Sequence, residues 1–165
     1  ATVTHRIIPT LEAAIRYRRT TKPTALADSL GATTRREWRF DMEWMPRRSV
    51  DIDARIERVE VKSGPEIYHG NLVALKSLTP LKERVSLMFR GVVFSVEDWD
   101  ARVYQYLPTA PGIGYARALS GKGWLGDLGF RGRWNQIGYF VLGRFWHKDG
   151  RRRWEANMSV DISIG

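Results

Sequence analysis

The order Trp38-Arg39-Phe40-Asp41-Met42-Glu43-Trp44 alternates apolar and charged side chains without interruption. Successive side chains of an extended strand point to opposite faces. This stretch therefore places Trp38, Phe40, Met42 and Trp44 on one side and Arg39, Asp41 and Glu43 on the other. A helix would scatter both sets around its circumference, so the pattern predicts a two-faced strand.

The alternation recurs. Val50, Ile52, Ala54 and Ile56 oppose Asp51, Asp53, Arg55 and Glu57, and the longest run sets Trp154, Ala156, Met158, Val160, Ile162 and Ile164 against Arg153, Glu155, Asn157, Ser159, Asp161 and Ser163. Weaker copies appear at Leu11–Tyr17, Val85–Val93, Leu128–Arg133 and Ile137–Phe145. The segment 67–79 is apolar but poorly phased, and is read as a strand because its neighbours need one. These segments predict strands near 9–19, 36–45, 49–62, 67–79, 84–107, 122–133, 136–147 and 152–164. The fold class expected is all-β, an antiparallel up-and-down transmembrane β-barrel of about eight strands, forming one domain over 1–165.

Connection lengths point the same way. Met45-Pro46-Arg47-Arg48, Pro80-Leu81-Lys82-Glu83 and Trp134-Asn135 read as tight turns, whereas 20–35, 63–66 and 108–121 read as the alternate, longer joins. Lys148-Asp149-Gly150-Arg151 is the exception, a short hairpin with glycine at its tip. Short turns at one end and longer loops at the other is the arrangement of outer-membrane barrels.

A two-faced strand also fits a soluble sandwich or a lipocalin-like barrel, in which the apolar face turns inward. Two features favour lipid outside. Several segments reach the ~9–11 residues a tilted strand needs to cross a bilayer. Trp38 and Trp44 share a face and lie ~20 Å apart along the strand at ~3.4 Å per residue. With Trp124, Trp134 and Trp154 they match the two interfacial aromatic girdles of a membrane barrel. The opposite face, with Arg39, Asp41, Glu43, Asp51, Asp53, Arg55, Glu57, Arg131, Arg144, Glu155 and Asp161, mixes both signs, so these residues can pair across a narrow lumen.

Along Phe94-Ser95-Val96-Glu97-Asp98-Trp99-Asp100-Ala101-Arg102-Val103-Tyr104-Gln105-Tyr106 the chain resembles the C-terminal barrel-like region of large helix-hairpin-helix (competence-related) proteins of Bacteroidetes and Chlorobi-type bacteria. Those carry an aromatic followed by Asp-x-x-Asp-x-Arg-x-Tyr-x-Tyr, then a loop ending in Gly-Lys-Gly, here Gly121-Lys122-Gly123. A later arginine in an apolar strand corresponds to Arg144, and an upstream Trp-x-Pro turn to Trp44-Met45-Pro46. The similarity spans roughly 36–148 and implies outer-membrane placement with no catalytic residues. It also implies that the chain forms the closing portion of a longer barrel. The helix-hairpin-helix part has no counterpart here, so no DNA-related role carries over.

No enzyme chemistry is expected. His5, His69 and His147 lack metal-ligand spacing, and the absence of cysteine removes thiolate chemistry and disulfides. Asp51 and Asp53 resemble a paired-carboxylate site, but Arg55 and neighbouring charges explain them structurally. Gly112-Ile113-Gly114 and Gly121-Lys122-Gly123 lack the strand-to-helix setting of a phosphate loop. The expected catalytic, cofactor and metal residues are therefore none. The expected partners are membrane lipid, lipopolysaccharide phosphates and other outer-membrane proteins, met through Tyr115 and Arg117 in the 108–121 region and Lys122 just after it.

The net charge of +9 leaves another reading open, a soluble all-β nucleic-acid-binding module using basic and aromatic residues. That reading needs aromatics and arginines on one exposed face, whereas here they fall mostly on opposite faces. A lipocalin-like carrier is the third reading.

Overall fold

The computed structural model describes residues 1–26, 29–47, 50–110 and 113–162, with side chains described for all of these except 6, 24–26, 29–31, 109–110, 113–114 and 161–162. The all-β, antiparallel class read from the alternation is what forms. One sheet holds nine strands in the order β1 (Thr2–Ile8), β2 (Leu11–Leu26), β3 (Ser29–Arg47), β4 (Val50–Ser63), β5 (Glu66–Lys82), β6 (Val85–Val96), β9 (Gly121–Trp134), β10 (Ile137–Lys148) and β11 (Arg151–Ile162). Each neighbouring pair is antiparallel.

Between β6 and β9 the chain leaves the sheet through a 3-10 turn, Trp99–Ala101, and forms a separate hairpin of β7 (Val103–Ala110) and β8 (Ile113–Leu119). Among the described residues β1 and β11 each pair on one side only, so the register describes an open sheet and not a closed barrel. The count of about eight strands is accordingly corrected to nine in the sheet and two in the hairpin.

The expected single strand 84–107 is broken for a local reason. Glu97-Asp98-Trp99-Asp100 interrupts the alternation. The Glu97 carboxylate accepts from the backbone N–H of His69 (2.8 Å), and Asp98 caps the turn by accepting from the Asp100 N–H (2.9 Å). The 108–121 region, read as a loop, returns as β8. The long join expected at 20–35 is also absent, because β2 and β3 pair continuously to Leu26 and Ser29. Threonines make that extension, with Thr21 facing Thr34 across the pair and Thr33 facing Ser63. Their β-branched side chains keep a strand extended after its apolar stripe has ended. The β6–β9 connection is thus the long one, and connection length does not divide the two ends of the sheet as expected. Arg48, Pro111, Gly112 and the end of the last expected strand at 163–164 lie outside the described residues.

The hairpin covers one face of the sheet. Val59, Val61, Leu72, Val92, Phe94 and Leu125 from the sheet pack with Ala101, Val103, Leu107 and Leu119 from the insertion, and all are buried. Burying a side chain such as Leu107 contributes about 1.5–3 kcal/mol. Gly70 on β5 marks the closest approach, since a Cβ there would collide with the Ala101 carbonyl oxygen. Met88, Phe140 and Leu142 form a smaller cluster with Leu78.

Candidate functional site: the charged face beneath the hairpin

Strand register assembles the charged side chains into cross-strand rows. The longest runs Glu12, Glu43, Asp53, Lys76, Arg90, Asp127, Arg144, Glu155 from β2 to β11, each residue opposite the next. The next row carries Asp41 and Arg55, then turns apolar with Ala74, Val92, Leu125 and Trp146. Arg39 and Glu57 start another that continues into Leu72 and Phe94. All of these lie on the covered face, so the apolar core and the charged network share one side of the sheet.

The network is densest at Asp127, whose side chain is fully buried beside Arg90 and Arg144. Arg90 donates to Asp127 Oδ2, and Arg144 donates through Nε to Oδ1 at 2.9 Å. Arg144 also approaches Glu155 at 3.6 Å. Removing such charges from water costs several kcal/mol per ion, and only close pairing offsets that cost. Other pairs run along single strands or across one step: Arg35 with Glu37 (2.5 Å), Arg39 with Asp41 (2.6 Å), Arg55 with Glu57, and Lys76 with Asp53 (2.5 Å).

The arginines also hold the hairpin. Arg35 donates to the carbonyls of Asp100 (2.5 Å) and Arg102 (2.8 Å), and Arg55 to that of Tyr104 (3.0 Å). Arg90 donates to the Tyr106 carbonyl (2.5 Å) and Arg144 to that of Pro108 (2.9 Å). Alternate carbonyls along one side of a strand point the same way and need donors when that side is not in a sheet. Here four arginines from β3, β4, β6 and β10 supply them, so the segment leading into and along β7 lies across the sheet strands as a bolt held at alternate carbonyls from Asp100 to Pro108.

Of the charged residues singled out from sequence, Arg39, Asp41, Glu43, Asp51, Asp53, Arg55, Glu57, Arg131, Arg144 and Glu155 stand on the covered face. Arg131 is exposed, two rows from Asp127, and faces Ser86 and Phe140. The Asp161 side chain lies outside the described residues. Carboxylate oxygens of Glu43, Asp51 and Asp53 come within 4.8 Å of one another, and Lys76 occupies one oxygen of Asp53. A cavity of about 520 Å³ opens beside β7, lined by Glu12, Asp41, Glu43 and Asp53 and by Arg39, Arg55, Lys76 and Arg90, which balance in charge.

Sequence reasoning missed Arg35 as a hairpin clamp, and nothing in the alternation could single it out. Arg90 and Asp127 fall on the polar face by period two, but their pairing depends on register across β6, β9 and β10.

The opposite face is bare, and it is apolar. Val3, Ile15, Phe40, Ile56, Val73, Val93, Leu128, Val141, Phe145, Met158 and Val160 all point away from the hairpin and are exposed, Met158 by 75%. Trp38, Trp44, Trp124, Trp134 and Trp154 stand on this face and are exposed as well. Soluble folds bury their largest apolar stripe; this sheet leaves its longest one exposed. The three residues expected to form one contact loop are separated. Tyr115 is exposed on β8, Arg117 lies 3.6 Å above the Trp146 ring, and Lys122 projects from the bare face of β9.

No helix among the described residues is long and apolar enough to cross a membrane, which leaves crossing by strands untouched. Comparison with protein-family models, curated proteins and solved structures gave no match.

Proposed function

We propose that the chain forms the wall and filled interior of an antiparallel β-barrel in the outer membrane of a Gram-negative bacterium, with a structural or partner-binding role and no catalysis. The observation that carries this reading is the bare apolar face, which runs from Val3 on β1 to Val160 on β11, while on the other face Glu57, Arg90, Asp127 and Arg144 are buried under the hairpin. Acyl chains accept such a face without penalty, whereas in water each exposed large side chain forfeits about 1.5–3 kcal/mol of burial. The five exposed tryptophans suit the interfacial layers that flank the hydrocarbon.

In hydrocarbon every backbone polar group needs a partner, so a spanning sheet has no open edges. On this reading β1 and β11 are joined to each other or to further strands. The hairpin, clamped by arginines and packed on Val59 and Leu72, fills the interior and leaves no wide aqueous channel. A lipocalin-like carrier turns its apolar face inward, which does not suit exposed Val73, Val93 and Met158.

Membrane fractionation tests the reading. The protein is expected in the fraction released only by detergent, and its electrophoretic mobility is expected to change on boiling. Recovery in detergent-free buffer, with binding to nucleic acid that weakens steeply as salt rises, would instead favour the nucleic-acid-binding alternative.

A further inference from the structure

We propose that the basic cavity beside the β10–β11 turn binds a ligand carrying more than one phosphoryl group. The cavity, about 420 Å³, is lined by Arg117, Trp146, Lys148, Arg151, Arg152 and Arg153 together with Asp149. Asp149 is the one acid on that lining; one of its oxygens already accepts from the Lys122 backbone N–H at 2.9 Å, and the other lies 4.0 Å from the Lys148 ammonium. Arg153 pairs with Glu155 at 3.1 Å, but Arg151 and Arg152 have no ion-pair partner among the described residues.

The register makes this concentration costly without an anion. Lys148 stands directly opposite Arg151, and like charges in that position repel. Beneath them Trp146 is only 6% exposed, and its indole N–H has no hydrogen-bond partner. A buried donor left unpaired destabilises a fold. Arg117, brought in by β8, lies over the same ring. Two independent features therefore converge on one place: Arg151 and Arg152 on β11 without an ion-pair partner, and beneath them a Trp146 indole N–H without a hydrogen-bond partner in a side chain more than nine-tenths buried. Planar guanidinium groups and a lysine together suit phosphoryl oxygens, which offer several acceptors and more than one charge per group. The excess of cations over the single acid matches a ligand with at least two such groups.

The inference does not rest on membrane placement, because Arg117, Trp146, Lys148, Arg151 and Arg153 of the lining stand on the hairpin's side of the sheet and only Arg152 shares a row with Trp124 on the bare one. It is tested by calorimetric titration of the full chain in neutral detergent with inorganic pyrophosphate, and separately with micelles containing a diphosphorylated glycolipid. Wild type is expected to bind at least one of them, and R151A/R153A to bind at least about tenfold more weakly. Pyrophosphate binding supports a free ligand; binding of the glycolipid alone supports a lipid headgroup. R18A/R19A, which removes exposed arginines elsewhere on β2, is expected to bind as wild type does. Absence of binding to both probes overturns the proposal. So does an equal loss in R18A/R19A, which would mean diffuse attraction to a basic surface. A circular-dichroism spectrum and melting curve matching wild type establish that each variant is folded.

Discussion

At the level of single residues, buried charge decides most. Asp127 accepts from two arginines inside the covered face, so Asp127→Asn would leave Arg90 and Arg144 facing each other with half their compensation gone. We expect a loss of about 3–5 kcal/mol, read as a lower denaturant midpoint of refolded protein. An unchanged midpoint would mean that water reaches the triad and screens it. Gly70 gives a steric counterpart. Gly70→Ala places a methyl group against the Ala101 carbonyl oxygen, where backbone on both sides resists movement. Faster proteolysis within 97–120 is expected, whereas wild-type protection would show that the turn has room to shift. Arg39, Asp41, Glu43, Asp51, Asp53 and Arg55 were legible as one face because period two alone assigns them. Arg35 was not, because its partners are backbone carbonyls more than sixty residues away, and carbonyls carry no sequence signature.

Among the elements, the β7–β8 hairpin is what the chain's alternation could not reveal. Val103 and Leu107 fall in the same phase as Val85, Leu87, Phe89 and Val93, and so read as an extension of β6 in spite of Gln105. The hydrogen bonds that remove them from the sheet come from Glu97, Asp98 and the arginine clamps. Strand existence was readable wherever one face is apolar, as in β3, β4, β10 and β11. Thr20–Thr24 and Thr33–Thr34 gave no such signal, so the pairing beyond the apolar stripe was hidden. The hairpin's attachment is testable at Leu107, which is fully buried between sheet and insertion. Leu107→Ala should destabilise by about 2–5 kcal/mol, with cleavage in 103–119 appearing before cleavage in β3 or β4. Simultaneous loss of all strands would show that hairpin and sheet unfold as one unit.

For the molecule as a whole, the medium that meets the bare face decides what the sheet is for. Sequence periodicity defined two faces but was silent on which is covered, because either assignment preserves the same alternation. Register and the hairpin resolve that: the apolar stripe lies opposite the insertion, and the charged rows lie on the insertion's side, buried at Arg90, Asp127 and Arg144 and open at Glu43. The open edges at β1 and β11 were equally hidden, since edge pairing depends on strand order and not on composition. The absence of cysteine allows a single spin label to be introduced by substitution at Val73, Val141 or Met158 on the bare face and at Glu43 on the covered face. In protein reconstituted into bilayers, labels at Val73, Val141 and Met158 should collide with dissolved oxygen in preference to a water-soluble nickel complex, and the label at Glu43 should not. Preference for nickel at the three bare-face positions would contradict the account.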